Sequence, residues 1–399
     1  MKKKARDQSP AQWGDATKLV RGGLDRSPHG ETSEAIYLTS GYVYDDPETA
    51  ERRFAGEEEG YVYGRYGNPT VTMFEERMRL LEGAEACYAV ASGMSAAFGA
   101  LACQLKVGDH IVASRALFGS NYQIITAILP RFGITYDLVD GSDAAAWKRA
   151  VTSKTKCVFL ETPSNPLLEV LDIEMICGIA HKAGAVVIVD NVFATPILQK
   201  PMEMGADIVF YSSTKHTDGQ GRVFGGAILC SKKFKEDLLK PFLRHTGPTI
   251  SPFNAWVLLK GLETLKLRVE AQCQAAAAVA DALVSLPGVE RVYYPHHDTH
   301  PQAKLARQQM KLGGTLVAFD VAGGKAKAFD VLRNLAIIDI SNNLGDTKSL
   351  ITHPATTTHR NIGPEARALM GIGDGALRLS VGLEDVGDLI ADLKQAIGG

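Results

Sequence analysis

A single lysine stands at the point where the sequence predicts the end of a buried strand. The apolar run Ile208–Tyr211 is followed by two serines, by Thr214 and then by Lys215. A buried amine can lose its charge through desolvation and can then form a Schiff base with a carbonyl compound. The hydroxyls of Ser212 and Thr214 are spaced so that both could bind a phosphate. The alternative interpretation is an ordinary lysine exposed to solvent.

Two further polar side chains follow apolar runs upstream of this lysine. Asp190 ends the run 186–189, and Asn165 comes shortly after the run 159–160. A buried carboxylate needs a cationic partner, and a protonated pyridine nitrogen is one such partner. A helix cap or a metal ligand is the alternative for Asp190. The Asn165 amide could hydrogen-bond a phenolic oxygen, or it could belong to a simple Asn-Pro turn.

Two segments have the residue types that bind phosphate. Gly93 and Met94 open a helical run directly after an apolar strand, and the free N–H groups at a helix N-terminus attract anions. The loop 60–70 carries Tyr63 and Arg65, and the arginine fork can donate two hydrogen bonds to a phosphate. Neither segment has the GxGxxG or P-loop pattern of nucleotide-binding proteins. A plain turn and an aromatic surface loop remain the alternatives.

An arginine lies in the middle of an apolar strand near the end of the chain. Arg378 interrupts the run 376–381, so it needs an anionic partner, either a substrate carboxylate or a structural ion pair. Together, these segments supply an imine-forming lysine, a counter-ion for a pyridine ring, groups that hold a phosphate and an arginine for a carboxylate. Pyridoxal phosphate with an amino-acid substrate needs this set of groups.

The elements that must position these residues alternate between short apolar runs and helical stretches. The runs are rich in Val and Ile without strict alternation, which is typical of strands covered on both faces of a mainly parallel sheet. They comprise residues 86–90, 110–113, 135–139, 157–160, 185–189, 208–211 and 227–230. In such α/β folds ligands bind beyond the carboxyl ends of the strands, and most of the polar residues above follow these runs.

The pattern changes at both ends of this region. Residues 1–60 are rich in turn signals, and a long Ala-rich helical pattern covers residues 262–286 before shorter strands and helices follow. We therefore expect an N-terminal arm at residues 1–65 and a large cofactor-binding domain with a seven-stranded sheet at 66–262. A smaller α/β domain is expected at 263–399.

The composition excludes several classes of protein. Of the 399 residues, 45% are hydrophobic and 22% are charged, which is typical of a globular protein and not of a disordered chain. The net charge of −2 gives no reason to expect nucleic acid or a membrane surface as a partner. The basic start, Met1–Pro10, lacks the apolar segment of a signal peptide.

The cysteines and histidines do not suggest a metal site. The six cysteines have neither zinc-binding nor CxxC redox spacing, and reduced thiols are typical of a cytoplasmic protein. Three histidines lie between Tyr294 and Pro301, but no carboxylate is placed beside them for a catalytic zinc. We therefore expect no bound metal.

The motifs and their order resemble the pyridoxal-phosphate enzymes of cysteine and methionine metabolism. The matching segments are Tyr63–Thr70, Ser92–Met94, Glu161–Pro166, Asp190–Asn191, Ser212–Lys215 and Arg378–Asp385. The resemblance implies fold type I, pyridoxal 5'-phosphate as the cofactor and small amino-acid substrates.

The resemblance also implies a role for each candidate residue. Lys215 would form the Schiff base and shuttle protons, Asp190 would pair with the pyridine nitrogen, and Asn165 would contact the ring phenolate. Phe118 would stack on the ring. The phosphate would be held by Gly93, Met94, Ser212 and Thr214, and the substrate carboxylate by Arg378 with Asn343 nearby. Tyr63 and Arg65 would reach the phosphate of a neighbouring subunit, which implies dimers with shared sites and a homotetramer built from them.

Differences from the family's usual pattern bear on the reaction. The family usually has a tyrosine where this chain has Phe118, and the γ-lyase of methionine has a cysteine where it has Ser120, so both positions weaken a lyase interpretation. The segment Asp218–Arg222 and the pair Asn342–Asn343 are similar to the O-succinylhomoserine sulfhydrylase branch. That branch implies replacement of the γ-succinyl ester by sulfide, which gives homocysteine for methionine biosynthesis.

Several other functions remain open at this point. Within the family they are cystathionine γ-synthase, O-acetylhomoserine sulfhydrylase and a methionine or cystathionine γ-lyase. Outside it, a nicotinamide oxidoreductase would have a similar sheet, but the GxGxxG motif is missing. A binding protein without catalytic activity is the remaining class.

Overall fold

The computed structural model describes residues 9–398. Residues 1–8, which belong to the predicted N-terminal arm and to the basic start of the chain, lie outside the described residues, as does Gly399. The described part contains two β-sheets, each with helices packed against it.

The larger sheet contains seven strands within residues 9–398. They are β1 (Ala86–Val90), β2 (His110–Ser114), β3 (Thr135–Val139), β4 (Thr155–Glu161), β5 (Val186–Asp190), β6 (Ile208–Ser212) and β7 (Gly226–Cys230). The strand order is β1-β7-β6-β5-β4-β2-β3. Strand β7 pairs antiparallel with β1 and β6, and the other pairings are parallel. The predicted large, mainly parallel sheet is confirmed.

The central strands are apolar throughout because both faces of this sheet are covered. In β5, Val187 and Val189 pack into the core on one face, and Ile188 packs into the core on the other face. Consecutive residues of a strand point to opposite faces, so both faces demand apolar side chains. This explains why the sequence shows continuous apolar runs here and no polar alternation.

The helices cover the faces of the two sheets. In chain order they are α1 (Asp15–Arg21), α2 (Pro47–Ala55), α3 (Pro69–Glu82), α4 (Gly93–Ala102), α5 (Gly119–Gln123), α6 (Ala144–Ala150), α7 (Ile173–Lys182), α8 (Thr195–Leu198), α9 (Lys232–Phe234), α10 (Lys240–Thr246), α11 (Pro252–Glu263), α12 (Leu265–Val284), α13 (Ala303–Gln309), α14 (Gly324–Asn334), α15 (Pro364–Leu369) and α16 (Val386–Gly398). Short 3-10 turns occur at Pro10–Gln12, Leu129–Phe132, Pro201–Met204, Pro354–Thr356 and Arg360–Ile362, and π-helical turns at Ile124–Ile128 and Lys235–Leu239.

The smaller sheet lies in the second half of the chain. Its strands are β8 (Val289–Tyr293), β9 (Leu316–Val321), β10 (Asp339–Ile340), β11 (Leu350–Thr352) and β12 (Ala376–Ser380), in the order β10-β11-β12-β9-β8. Strands β10 and β11 pair in parallel, and the other pairings are antiparallel. A core that includes Phe319, Leu377 and Leu393 joins this sheet to its helices. The predicted smaller sheet domain is confirmed, whereas the division into residues 1–65, 66–262 and 263–399 stays a prediction.

Helix α12 takes part in both cores. Val269 and Cys273, in its first half, pack into a core of the large sheet, whereas Val279 and Leu283, in its second half, pack into the core of the small sheet. The continuous helical pattern that the sequence shows from residue 262 is interrupted at Thr264, whose backbone leaves helical geometry between α11 and α12.

Two global properties follow from the described residues. Among the helices within residues 9–398, none is both long enough and apolar enough to cross a lipid bilayer. In the same part of the chain, His, Cys, Asp and Glu side chains do not gather in groups of three that could hold a metal ion.

Candidate active site

A cavity of about 810 Å³ lies at the carboxyl ends of β4, β5 and β6, where an α/β sheet places its ligands. Residues from the large sheet, from the start of α4 and from the small domain all line it. Nine of the residues that the sequence singled out contribute to its wall: Gly93, Met94, Phe118, Asn165, Asp190, Ser212, Thr214, Lys215 and Arg378.

Lys215 extends into this cavity from the turn after β6. Its Nζ donates a hydrogen bond of 2.6 Å to Oδ1 of Asn343, so Asn343 also reaches the site although it does not line the cavity itself. Burial, with a smaller contribution from the positive charge of Arg378, lowers the pKa of Lys215 to about 8. Near neutral pH a larger fraction of this amine is therefore uncharged than in an exposed lysine, as a nucleophile or base requires.

Asp190 closes the floor of the cavity at the end of β5. Its Oδ2 accepts a hydrogen bond of 2.9 Å from Nδ2 of Asn121, and its Oδ1 accepts one of 3.1 Å from the backbone N–H of Val192. Burial raises the pKa of Asp190 to about 7, although these hydrogen bonds favour the charged form. Within residues 9–398 no cationic side chain forms an ion pair with Asp190. A protonated ring nitrogen would supply that missing charge.

Glu161 is a second buried carboxylate beside Asp190, and the sequence reasoning did not assign it a role. It ends β4 directly opposite Asp190 in the parallel register. Its Oε2 accepts a hydrogen bond from the N–H of Phe118 and its Oε1 one from the N–H of Asn165, both at 2.7 Å. Burial and the neighbouring Asp190 raise the pKa of Glu161 well above its ordinary value. The signal that identified Asp190, a carboxylate after an apolar run, is present at Glu161 as well.

The groups expected to hold a phosphate lie together at the start of α4. Ser92 caps this helix by accepting a hydrogen bond of 3.1 Å from the N–H of Ser95. At Gly93 an added Cβ would lie 2.4 Å from the Cβ of Ser212, so only glycine lets the helix start approach the end of β6 this closely. The open N–H groups of α4 and the hydroxyl of Ser212 thus line one corner of the cavity, which suits a phosphate.

Arg378 forms the opposite wall of the cavity from strand β12. It is 1% exposed, and its guanidinium donates to Oδ1 of Asn165 at 3.0 Å and to the backbone oxygens of Asn342 and Asn343 at 3.0 and 3.3 Å. Its Nε has no hydrogen-bond partner. Burial lowers the pKa of Arg378 to about 10, so it remains charged at neutral pH. Among the described residues it forms no ion pair within 4.0 Å, which leaves its charge available to a substrate carboxylate.

Tyr63 and Arg65 do not reach this cavity within the same chain. Arg65 stacks on the Tyr66 ring, with 4.7 Å from its guanidinium carbon to the ring centroid, and donates a hydrogen bond to the backbone oxygen of Arg244. It lines a separate depression near α10. Any contact of these two residues with a cofactor must therefore involve a second subunit.

Comparison with known proteins places the chain in a family. The model for the family described as "Cys/Met metabolism PLP-dependent enzyme" matches residues 16–398. The chain belongs to this family of pyridoxal-phosphate enzymes. The recognition from sequence motifs is confirmed, and with it the cofactor.

Several curated relatives of this PLP-dependent enzyme align over nearly the whole chain. The O-succinylhomoserine sulfhydrylase of Mycobacterium tuberculosis is 55% identical over 388 residues, which cover 96% of this chain and 95% of that protein. The enzyme of the same name from Pseudomonas aeruginosa is 48% identical, covering 96% and 94%. The L-methionine gamma-lyase of Porphyromonas gingivalis is more distant, at 42% identity with coverage of 96% and 97%.

Solved structures confirm that the fold is that of type I pyridoxal-phosphate enzymes. The crystal structure of metB from Corynebacterium glutamicum has a TM-score of 0.92 at 33% identity and covers 98% of this chain and 99% of its own. A putative O-acetylhomoserine (thiol)-lyase from Campylobacter jejuni has a TM-score of 0.93 at 33% identity, with coverage of 97% and 100%. That structure contains N'-pyridoxyl-lysine-5'-monophosphate, a lysine joined covalently to the cofactor.

The side chains of this chain fit pyridoxal phosphate. Gly93 lets the start of α4 lie close to Ser212, so the helix N–H groups and this hydroxyl lie together as a phosphate requires. The buried Asp190 lacks a cation, which the ring nitrogen would supply. Lys215 projects into the same cavity. The guanidinium of Arg378, which forms no ion pair among the described residues, lines the same cavity.

Proposed function

We propose that this enzyme catalyses γ-replacement on O-succinylhomoserine. Sulfide forms the new C–S bond at the γ-carbon, the ester C–O bond breaks, and the products are homocysteine and succinate. The observation that carries the proposal is the 55% and 48% identity to curated O-succinylhomoserine sulfhydrylases over nearly the full chain. The methionine γ-lyases match less closely, and the chain has Phe118 and Ser120 where the lyase pattern differs.

Lys215 and Asp190 have different roles in the proposed reaction. Bound pyridoxal phosphate supplies an electron-withdrawing ring that makes the α-proton of the substrate acidic. Lys215, with its lowered pKa, accepts that proton and later returns it, so it serves as base and then as acid. Asp190 carries the negative charge that keeps the ring nitrogen protonated, and hydrogen bonds from Asn121 and Val192 hold its two oxygens in place.

The substrate is oriented from the side of the small domain. Arg378 receives the α-carboxylate through a guanidinium that is already held by Asn165 and by two backbone oxygens. Asn343 accepts the hydrogen bond from Lys215 Nζ, which keeps the free amine beside the carbons that exchange protons. Gly93, Met94, Ser212 and Thr214 would hold the phosphate, Asn165 would contact the ring oxygen, and Phe118 would pack on the ring face, since all of them line the cavity.

We also propose that two subunits share each active site and that dimers pair into a homotetramer. Tyr63 and Arg65 do not line the cavity of their own chain, which suits a contact with the phosphate of a neighbour. Leu38, Val43 and Phe54 in the predicted arm expose large apolar side chains, as a subunit interface does. We place the enzyme in the cytoplasm, a proposal that its six free cysteines support. We keep the boundaries 1–65, 66–262 and 263–399 for the arm and the two domains.

The reaction is tested by product analysis of the purified enzyme. O-Succinylhomoserine and O-acetylhomoserine are each incubated with sulfide, with cysteine or without a nucleophile. The proposal predicts homocysteine from the succinyl ester with sulfide as the fastest reaction. Cystathionine as the main product would identify a cystathionine γ-synthase, and faster use of the acetyl ester would identify an O-acetylhomoserine sulfhydrylase. 2-Oxobutyrate as the main product even with sulfide present would identify a lyase. Each of these results would overturn the proposal.

The central residue is tested by removing its amine. Lys215→Ala should abolish turnover and also the visible absorption of the lysine-bound cofactor, because no other lysine among the described residues lines the cavity. Lys348→Ala is the matched control, since Lys348 is exposed and pairs with Asp346. Retained turnover in Lys215→Ala would contradict the assignment.

A further inference from the structure

Helix α12 places two buried polar side chains one turn apart, between the walls of the active site. Arg268 and Gln272 are 6% and 1% exposed, on a helix that is otherwise rich in alanine. Residues four apart on a helix lie on the same face. Burying a guanidinium and an amide on such a helix costs free energy unless both are used in hydrogen bonds.

Arg268 holds the backbone that follows the reactive lysine. Its Nη1 donates to the carbonyl oxygen of His216 at 2.8 Å, and its Nη2 donates to those of Thr217 at 3.5 Å and Gly261 at 2.8 Å. His216 is the residue next to Lys215. The packing is tight, because a Cβ added at Gly219 would lie 2.0 Å from Nη1. Among the described residues, no carboxylate forms an ion pair with Arg268 within 4.0 Å.

Gln272 holds the opposite wall. Its Nε2 donates to the carbonyl oxygen of Asp346 at 2.7 Å and to that of Val381 at 3.0 Å. Asp346 lies in the loop 341–349 that also carries Asn343, and Val381 follows the strand that carries Arg378. The amide oxygen of Gln272 has no partner, so the side chain is used here as a double donor.

The two walls also contact each other directly. Together with α12 they surround the site, and we call this arrangement the frame. The N–H of Thr347 donates to the carbonyl oxygen of Gly219 at 2.9 Å, and Lys215 donates to Asn343 across the cavity. A Cβ at Gly345 would lie 2.7 Å from the backbone nitrogen of His216. Because α12 packs into both cores, it is the rigid side of this frame.

We propose that Arg268 and Gln272 are positioning residues that set the spacing between Lys215 and the carboxylate-binding Arg378. The inference rests on the proposed roles of Lys215 and Arg378. Neither side chain touches the cavity, so each acts through the backbone that it holds. Arg268 fixes the amine that moves protons, and Gln272 fixes the wall that binds the substrate carboxylate.

The two residues should therefore affect different kinetic constants. Gln272→Met keeps the volume but loses both donors, so KM for O-succinylhomoserine should rise roughly tenfold while kcat changes little, as expected for a small displacement of a binding group. Arg268→Met frees the loop of Lys215, so kcat should fall roughly tenfold. Greater exposure of the Lys215 nitrogen to water favours its protonated form. The pH midpoint at which the absorption of the bound cofactor changes should therefore also shift upward.

Matched controls come from a half-buried and an exposed position of the same helix, Lys266 and Gln274. Lys266→Met and Gln274→Met remove a cation and an amide that do not contact either wall. The measurements on each holoenzyme are kcat, KM, the midpoint of thermal unfolding, the pH midpoint of the cofactor absorption and the dissociation constant of glycine, a carboxylate ligand without a leaving group. Arg268→Lys, which keeps the charge, replaces Arg268→Met if the latter does not fold.

The outcomes separate this inference from the proposed function. Weaker glycine binding in Gln272→Met and a shifted pH midpoint in the Arg268 variant, both absent from the controls, support the positioning roles. Wild-type glycine binding and a wild-type pH midpoint in folded variants would overturn the positioning roles. The roles would also be overturned if kcat and KM worsened equally in both variants and in proportion only to a lower unfolding temperature. A wild-type enzyme without turnover of O-succinylhomoserine and sulfide would refute the proposed function instead, and glycine binding and the pH midpoint would still test the frame.

Discussion

Two buried arginines differ in how the protein satisfies their charges. Arg77 in α3 is 0% exposed and forms an ion pair of 2.6 Å with Glu34, while its other nitrogens donate to the backbone oxygens of Gly22 and Leu259. Arg378 is 1% exposed, has no carboxylate within 4.0 Å among the described residues, and leaves Nε without a partner.

On the proposed assignment of Arg378, the difference distinguishes a structural cation from one that binds substrate. Arg77 ties the N-terminal segment to the large domain, and each of its three side-chain nitrogens donates a hydrogen bond within the fold. Arg378 is oriented by three hydrogen bonds, but its charge is not neutralised. Burying an uncompensated cation is costly, and that cost is retained where a ligand supplies the missing anion.

The largest expected effect is the loss of substrate affinity in Arg378→Met. KM for O-succinylhomoserine should rise roughly a hundredfold, because about 3 kcal/mol of charge-assisted hydrogen bonding to the carboxylate is lost. The thermal midpoint should stay the same or rise, since an unpaired buried charge is removed. Steady-state kinetics and calorimetry check both quantities; an unchanged KM together with a lower midpoint would make Arg378 a structural residue like Arg77.

The opposite result is expected for Arg77→Met. This change leaves Glu34 buried with Lys260 as its remaining partner, so unfolding should become easier by about 3 kcal/mol. The kinetic constants per folded enzyme should not change. The double variant Arg77→Met with Glu34→Gln should recover part of the stability, and failure to recover any would contradict the role of the ion pair.

The next effect should appear in the pH dependence of unfolding, because burial outweighs the hydrogen bonds that favour the charged form of Asp190. Burial raises the pKa of Asp190 from near 3.8 to about 7, so the folded state keeps this proton where the unfolded state has lost it. The free energy of unfolding of the cofactor-free protein should therefore fall as the pH rises from about 4 to 7. Asp190→Asn should make this decline shallower in urea titrations at several pH values.

Glu34 provides the control with the opposite sign. Its ion pair with Arg77 lowers its pKa despite burial, so its contribution is present above the ordinary glutamate pKa and is lost as the pH falls below it. Glu34→Gln should leave the decline between pH 4 and 7 in place. If Asp190→Asn and Glu34→Gln changed the free energy of unfolding over the same pH range and in the same direction, the contrast between the active site and the Arg77–Glu34 ion pair would be wrong.

The smallest effect is expected at an exposed ion pair. Arg333 and Asp330 lie 2.7 Å apart on α14 with side chains 67% and 58% exposed. Arg333→Gln should change the free energy of unfolding by less than about 0.5 kcal/mol, because solvent and salt screen such pairs. A larger loss in the free energy of unfolding would show that exposed and buried ion pairs do not differ in their contribution to stability.

In the large-sheet half of the site, the sequence singled out polar residues that follow continuous apolar runs. Lys215 and Asp190 stand out for that reason, and the structure brings both to one cavity. Glu161 has the same signal and was not assigned a role. Asn121 could not be found this way, because its contact with Asp190 joins residues 69 positions apart, one in α5 and the other at the end of β5.

The small-domain half was less accessible to sequence reasoning. Arg378 was visible as a charge within an apolar strand, whereas its orientation depends on Asn165 from the large domain. Arg268 and Gln272 lie on an Ala-rich helix without a motif, and their partners are backbone oxygens, which leave no trace in the residue types. Contacts of this kind appear only when the tertiary structure is known.

The central claim is that Lys215 carries the cofactor, and borohydride reduction of the holoenzyme followed by peptide mapping tests it most directly. Reduction converts the imine into a stable secondary amine, so the modified lysine survives proteolysis. The account predicts one pyridoxyl group per chain, on the peptide that contains Lys215. A pyridoxyl group on another lysine, or a reduced holoenzyme with none at Lys215, would contradict it.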